Sequence, residues 1–297
     1  MEITLPYQYS PRDYQIPILS AIDRGIKRIV WVSHRRSGKD KTCINIVSKK
    51  MAERIGNYYY IFPTYAQAKK VIWEGRDKDG FAMLNHFPKQ YIDGDKNNTE
   101  MKLKYRNGSM FQLIGSDDID RIVGTNPVGI VFSEYALQNP AVWGFIRPIL
   151  AENNGWAIFI GTPRGENHFY DLYELAKNSP DWFTQLLTVD DTGAIAKEIL
   201  DQEYVEIKRL DGNDALYRQE YYCEFSVPIS GAYYAAQIMA AYKDGRVGHV
   251  PYEDRLLVDT YWDLGMNDQT SIWFMQKSGA ELRVIEYAED RGKGLPH

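Results

Sequence analysis

Residues 33–40 read Ser33-His34-Arg35-Arg36-Ser37-Gly38-Lys39-Asp40, between an apolar run and a helical pattern. Strand, short loop with Gly-Lys, then helix is the setting in which a loop cradles phosphate groups. The first N–H groups of a helix lack intrahelical partners and the dipole makes that end positive, so both favour phosphate oxygens. Gly38 lets the backbone approach closely, and Lys39 adds a compact positive charge beside the outer phosphates. The pattern is imperfect: Ser33 stands where the first glycine is usual, and Asp40 where Ser or Thr is usual. The second candidate is Glu134, which ends the run Gly129-Ile130-Val131-Phe132-Ser133-Glu134. An acid at the carboxyl end of a parallel strand lies beside the crevice where α/β sheets bind ligands. Glu134 could orient and deprotonate a water attacking a γ-phosphate; alone, it reads equally as a solvated acid or a helix cap. A third acid, Asp263, ends another strand pattern, with Asp268 in the turn after it. Carboxylates on a strand can hold two metal ions ~4 Å apart that activate water. For Asp268 a solvated turn is the competing reading.

These groups need a scaffold. Four short runs, 29–32 (IVWV), 58–62 (YYYIF), 129–132 (GIVF) and 156–160 (WAIFI), are β-branched or aromatic and apolar on both faces. They predict strands buried on both sides of a parallel sheet. Ile44, Val47, Met51 and Ile55 recur at helical spacing and predict a helix between the first two runs, ended by Gly56-Asn57. The alternation predicts an α/β, doubly wound sheet. Residues 102–114 surround Asn107-Gly108 and predict an antiparallel hairpin at the sheet edge. Residues 194–222 are charged and helical in pattern, and 226–254 are loop-rich. Three further strand patterns, 256–263, 271–276 and 281–287, predict a β-meander that opens a second domain. Trp73, Trp143 and Trp182 read as packing residues.

Composition bounds the partners. The chain has 297 residues, about two domains at ~150 residues each. Lys plus Arg is 35 and Asp plus Glu is 40, a net charge of −5, which excludes a strongly basic nucleic-acid coat but not a local basic groove. Two cysteines, Cys43 and Cys223, make no disulfide framework and fit a reducing compartment. No run approaches the ~20 apolar residues of a membrane span, so no membrane partner is expected.

Five segments in order, HRRSGKD, IFPTYAQAKKVIW, GIVFSEYA, IFIGTPRG and YWDLGMNDQT, make the chain resemble the large terminase subunit of tailed phages, the ATPase that packages double-stranded DNA. The resemblance runs from about Tyr7 to the end. It implies a P-loop packaging ATPase domain over 1–225, a linker over 226–255, and over 256–297 the start of an RNase H-like nuclease domain. It further implies ATP and Mg²⁺, double-stranded DNA, a portal protein and a small terminase subunit as partners, a homo-oligomeric ring, and the host cytoplasm. By position, Lys39 matches the P-loop lysine, Glu134 the catalytic glutamate and Arg35 the arginine inside the P-loop. Residues 33–41, Lys41 included, would line the nucleotide. Gly161-Thr162-Pro163 matches the motif coupling hydrolysis to movement. Gln15 resembles the glutamine that reads the adenine edge; an exposed helical residue is the alternative. Arg121 is a candidate for acting in trans on a neighbouring subunit, with a salt bridge to Asp117, Asp118 or Asp120 as the alternative. Asp263 matches the first acid of the nuclease site. The chain ends before further acids, so an incomplete nuclease site and little cutting are expected.

Such subunits commonly carry Ser or Thr after the P-loop lysine and Asp before the catalytic glutamate. Here these positions hold Asp40 and Ser133, each the type expected at the other. The reading is an exchange: Asp40 supplies the carboxylate and Ser133 the hydroxyl toward Mg²⁺, which prefers oxygen ligands. The alternatives are a weakened ATPase, or Thr42 as ligand after a local register change. Rival functions are another P-loop translocase, helicase-like, or a non-catalytic DNA-binding fragment.

Overall fold

The computed structural model describes residues 9–117, 122, 124–226, 237–238, 240–241, 244–264 and 269–291. The chain divides into two compact units, Met1–Gly231 and Ala232–His297. The first unit contains strands β1 (Arg28–Ser33), β2 (Asn57–Phe62), β3 (Lys102–Lys104), β4 (Met110–Gly115), β5 (Pro127–Ser133), β6 (Trp156–Gly161) and β7 (Trp182–Leu187). Its helices are α1 (Ile16–Asp23), α2 (Lys39–Glu53), α3 (Tyr65–Ala68), α4 (Ala141–Glu152), α5 (His168–Lys177), α6 (Val189–Thr192), α7 (Lys197–Asp211) and α8 (Ala215–Tyr222).

The strands form one sheet in the order β3-β4-β2-β5-β6-β1-β7. All pairings are parallel except that of β3 with β4. The expected hairpin therefore sits at the sheet edge, with Gly108 at φ 96° in its turn. Because strand side chains alternate between faces, each apolar run feeds two layers. Ile29, Trp31, Tyr60 and Ile158 join one core with α1 and α2 residues such as Ile18, Ile44 and Val47. Val30, Val32, Ile61, Phe132 and Phe159 join the other, with Val142 and Ile146 of α4 and Phe169 of α5. Gly129 is required between β5 and β6: a Cβ there would lie 2.4 Å from the Trp156 ring.

Two expectations need correction. The helix predicted through Ile55 ends at Glu53, and Ile55 is 65% exposed. Arg54 is already extended, and its guanidinium donates to the carbonyls of Asn153 and Asn154 beyond α4, which draws the chain out of the helix toward β2. Strand β7 is not among the predicted strands. Its residues WFTQLL are mostly half-buried, as an edge strand allows, so it lacks an apolar run.

The second unit holds the expected meander: β8 (Val258–Asp263), β9 (Gln269–Ser278) and β10 (Glu281–Arg291), all antiparallel in the order β10-β9-β8. Gln276 is buried, and its amide bonds Glu253 N, Glu253 O and Leu256 O, fixing the segment before β8 onto the sheet.

Candidate active site

The β1–α2 loop leaves the sheet at Ser33 and enters α2 through Gly38, which caps the helix at φ 85°. A left-handed residue is needed there, and glycine adopts it without strain; a Cβ would also stand 3.0 Å from Gln15 Nε2. Arg36 is exposed and also left-handed, at φ 70°. Lys39 is buried. Its Nζ donates to Ser33 O (2.9 Å), His34 O (3.1 Å) and Thr162 Oγ1 (3.3 Å). Thr162 in turn donates to Ser33 O at 3.1 Å. Gly161, Thr162 and Pro163 thus lie against the loop at the end of β6.

The hydroxyls of Ser33 and Ser37 are buried without a partner. A buried polar group left unsatisfied is costly unless a ligand or water completes it. His34 is braced instead: its Nδ1 lies 2.6 Å from Arg35 O and its Nε2 2.6 Å from Thr192 Oγ1. Burial, aided by the Lys39 charge, pushes the imidazole down to about 4, so it is neutral at physiological pH. Because a carbonyl only accepts, Nδ1 donates to Arg35 O and Nε2 accepts from Thr192.

Asp40 stands in the first turn of α2 and Ser133 at the end of β5. Ser133 Oγ donates to Asp40 Oδ1 at 2.7 Å. Tyr60, in the middle of β2, donates its phenol to the same oxygen at 2.8 Å. Burial and the Asp40 charge push that phenol well up, so it stays protonated and donates. Both donors use Oδ1, so neither occupies the other carboxylate oxygen, which suits it to a ligand. Thr42 does not replace Asp40: α2 begins in register at Lys39, and the Thr42 hydroxyl donates to Gly38 O (3.1 Å) and accepts from Tyr9 (2.9 Å).

Glu134 follows Ser133 in a left-handed conformation, φ 53°, which a non-glycine residue adopts at a cost. Burial raises its carboxyl above the usual range; Asp40 pushes the same way, while Lys39, Arg164 and Arg35 oppose it. Arg35 donates through Nε to Glu220 Oε2 at 2.7 Å, and Arg164 pairs with the other oxygen of Glu220. Neither Glu220 nor Tyr60 is a sequence candidate.

The remaining candidates fall as follows. Gln15 is 4% exposed, which excludes the exposed-helix reading. Its amide donates to Ser37 O (3.1 Å) and accepts from Arg12 N (3.0 Å) and Tyr9 (3.3 Å). Lys41 points away into an ion pair with Asp77 at 2.7 Å. Arg121 and Asp268 lie outside the described residues. Asp263 is exposed on a wholly exposed strand, and no group of three or more His, Cys, Asp or Glu residues converges among the described residues.

No model of a known protein family matches the chain. The large terminase subunit of Escherichia phage T5 is 27% identical over 226 residues, covering 73% of this chain and 48% of that protein. The corresponding subunit of Thermus phage G20c is 26% identical over 181 residues, 56% of this chain and 36% of that protein. This chain is a relative of the phage large terminase subunits. It spans about half the length of the T5 relative. Among solved structures, the large terminase ATPase domain of Thermus phage P74-26 superposes with a TM-score of 0.60 at 22% identity, over 73% of this chain and 94% of that one. The large terminase of another thermophilic bacteriophage, in complex with ADP, gives 0.57 at 14% identity, over 94% and 68%. The fold is thus that of a large terminase ATPase domain, built on a mostly parallel mixed sheet.

Proposed function

We propose that this chain hydrolyses ATP to drive double-stranded DNA into a phage procapsid. The observation that carries the reading is the Asp40–Ser133 bond of 2.7 Å, beside Lys39 and Glu134 at the carboxyl end of the sheet. In P-loop NTPases a hydroxyl after the lysine and a strand-end carboxylate share the Mg²⁺. Here the same pair exists with its ends exchanged. The donor set, one carboxylate and one hydroxyl, suits a cation that takes oxygen ligands and keeps several waters. The unpartnered Ser33 and Ser37 hydroxyls and the left-handed Gly38 suit phosphate oxygens.

The residues then divide the work. The β1–α2 loop, residues 33–41 with Lys39 at its centre, holds the phosphates. Asp40 and Ser133 hold Mg²⁺, which when bound offsets charge on the phosphate oxygens, and Tyr60 keeps Asp40 oriented. Glu134 takes a proton from the attacking water; its raised carboxyl makes it a stronger base near neutral pH than an ordinary carboxylate. Arg35 faces the charge that develops in transfer. Thr162, bonded to Ser33 O and Lys39, passes a change at the loop into residues 161–163. Gln15 braces the loop through Ser37 O and ties an adenine contact to it. Arg121 is the candidate contributed in trans within a ring of subunits, with the portal and small terminase subunit as further partners.

Domains are assigned as 1–225 for the ATPase, 226–255 for a linker and 256–297 for the opening strands of an RNase H-like nuclease, with Asp263 as its first acid. The decisive experiment is DNA-stimulated ATP turnover by the purified chain and its Lys39→Ala variant, with a forked duplex in parallel. Turnover lost with Lys39→Ala and no unwinding supports the motor. Turnover that survives the change, or is absent from the wild type, removes the ATPase reading, and unwinding of the fork moves it to a helicase.

A further inference from the structure

Glu220, on α8, accepts from two guanidinium groups at once: Arg35 Nε through Oε2, and Arg164 through Oε1. The backbone repeats the link, since Arg35 N donates to Glu220 O at 3.0 Å. Together they wall a cleft of about 630 Å³ that also meets Glu203, Gln219 and Tyr221.

We propose that Arg164 is a second substrate-contacting arginine, aimed with Arg35 at the γ-phosphate of a bound nucleoside triphosphate, and that Glu220 is the positioning residue that holds both forks. The inference rests on the ATPase reading and extends it.

Charge balance is the first argument. A structural ion pair needs one cation per carboxylate. Two on one acid leave a surplus of one positive charge, and Glu220 is only 10% exposed while Arg35 is 61% and Arg164 is 22% exposed. The acid sits behind and the cations in front, an arrangement that suits an incoming anion. Donor geometry is the second. A guanidinium carries five N–H groups in a planar fork. Glu220 takes one from each, so both forks are oriented and still hold donors for phosphate. Position is the third. Arg164 stands two residues after Thr162, which bonds both Lys39 Nζ and Ser33 O, so its backbone is tied to the loop. Both guanidinium charges also favour the ionised form of Glu134, which places them at the end of the site where that carboxylate acts.

The experiment measures binding of ATPγS and of ADP to the full chain, by competition with a fluorescent nucleotide, and takes the ratio of the two affinities. Contacts to the γ-phosphate appear in that ratio and contacts to the rest of the nucleotide do not. Arg164→Ala should lower the preference for ATPγS about tenfold, the scale of one hydrogen bond between charged groups, with ADP affinity unchanged. Glu220→Gln should lower the ratio severalfold, because its amide nitrogen repels one of the two forks. Should Arg164→Ala fail to fold by circular dichroism, Arg164→Lys keeps the charge, loses the fork and should lower the ratio likewise. A wild-type ratio in the folded Arg164 and Glu220 variants overturns the inference while leaving the ATPase reading intact. A wild type that binds neither nucleotide overturns that reading itself.

Discussion

Glu134 and Asp263 hold the same kind of position, each an acid at the carboxyl end of a strand, yet their surroundings differ in every physical respect. Glu134 ends a strand whose seven residues are all buried. Burial raises its carboxyl, and Lys39, Asp40, Arg164 and Arg35 all act on its charge. Asp263 ends a strand whose six residues are all exposed. An acid becomes a reagent when its environment shifts its proton affinity and brings partners to it. In this molecule the parallel sheet does that at its carboxyl edge, and the described part of the meander does not.

The largest expected effect tests the Glu134 side. Glu134→Gln should reduce ATP turnover by about 10²- to 10⁴-fold, the range for loss of a positioned general base. Nucleotide affinity should stay close to that of the wild type, since the group acts on water rather than on the ligand. Lys39→Ala should lose both. Near-normal turnover in Glu134→Gln would erase the contrast with Asp263.

Next comes the exchanged pair. Asp40→Thr strips the carboxylate, and Ser133→Asp adds a second one beside Asp40; each alone should abolish most turnover. The double variant reverses the direction of the 2.7 Å bond and restores a hydroxyl after the lysine and a carboxylate on the strand. It should recover roughly tenfold over the worse single variant, since residues sharing one ion couple by about 1 kcal/mol or more. Turnover of the double variant no better than that of the worse single one would show that the positions do not share a ligand.

A smaller effect follows from the raised carboxyl of Glu134. Its folded form binds the proton more tightly than the unfolded chain does. The stability associated with that proton is therefore present below the unfolded carboxylate range and lost as pH rises through the folded value. Glu134→Gln should then raise the melting temperature at neutral pH, with the difference closing at acid pH. The acidic limb of the turnover profile should lie above the ordinary carboxylate range. A limb within that range, with no rise in melting temperature, would place Glu134 in a solvated setting like that of Asp263.

Much of this was legible in the sequence because it depends on short-range pattern. The four apolar runs became β1, β2, β5 and β6, Asn107-Gly108 marked the hairpin, and the mismatch at Asp40 and Ser133 anticipated a bond across 93 residues. What stayed hidden depends on distance or on mixed character. Glu220 meets Arg35 across 185 residues, and nothing in the helical pattern around it distinguishes it from a surface acid. Tyr60 sits in an aromatic run and reads as core. Its ring is indeed core, while its hydroxyl reaches Asp40. Strand β7 hid because an edge strand need not be apolar on both faces.

The smallest expected effect completes the comparison. Asp263→Ala should leave ATP turnover unchanged and alter stability by less than about 0.5 kcal/mol, as for an exposed residue away from a packed or ion-paired site. Plasmid DNA incubated with the chain and Mn²⁺ or Mg²⁺ should stay uncut. Two-metal displacement needs several carboxylates that clamp both the attacking and the leaving oxygen. Among the described residues no such group of acids, histidines or cysteines converges. Asp263 instead faces Ser271 across the β8–β9 pair, a hydroxyl that adds no charge to a metal site. Cutting that disappears with Asp263→Ala would show that partners reach this acid from outside the described strands, including from a second copy of the chain. Exposure would then be the condition for assembling the site, and the difference between the two acids would be one of when their partners arrive.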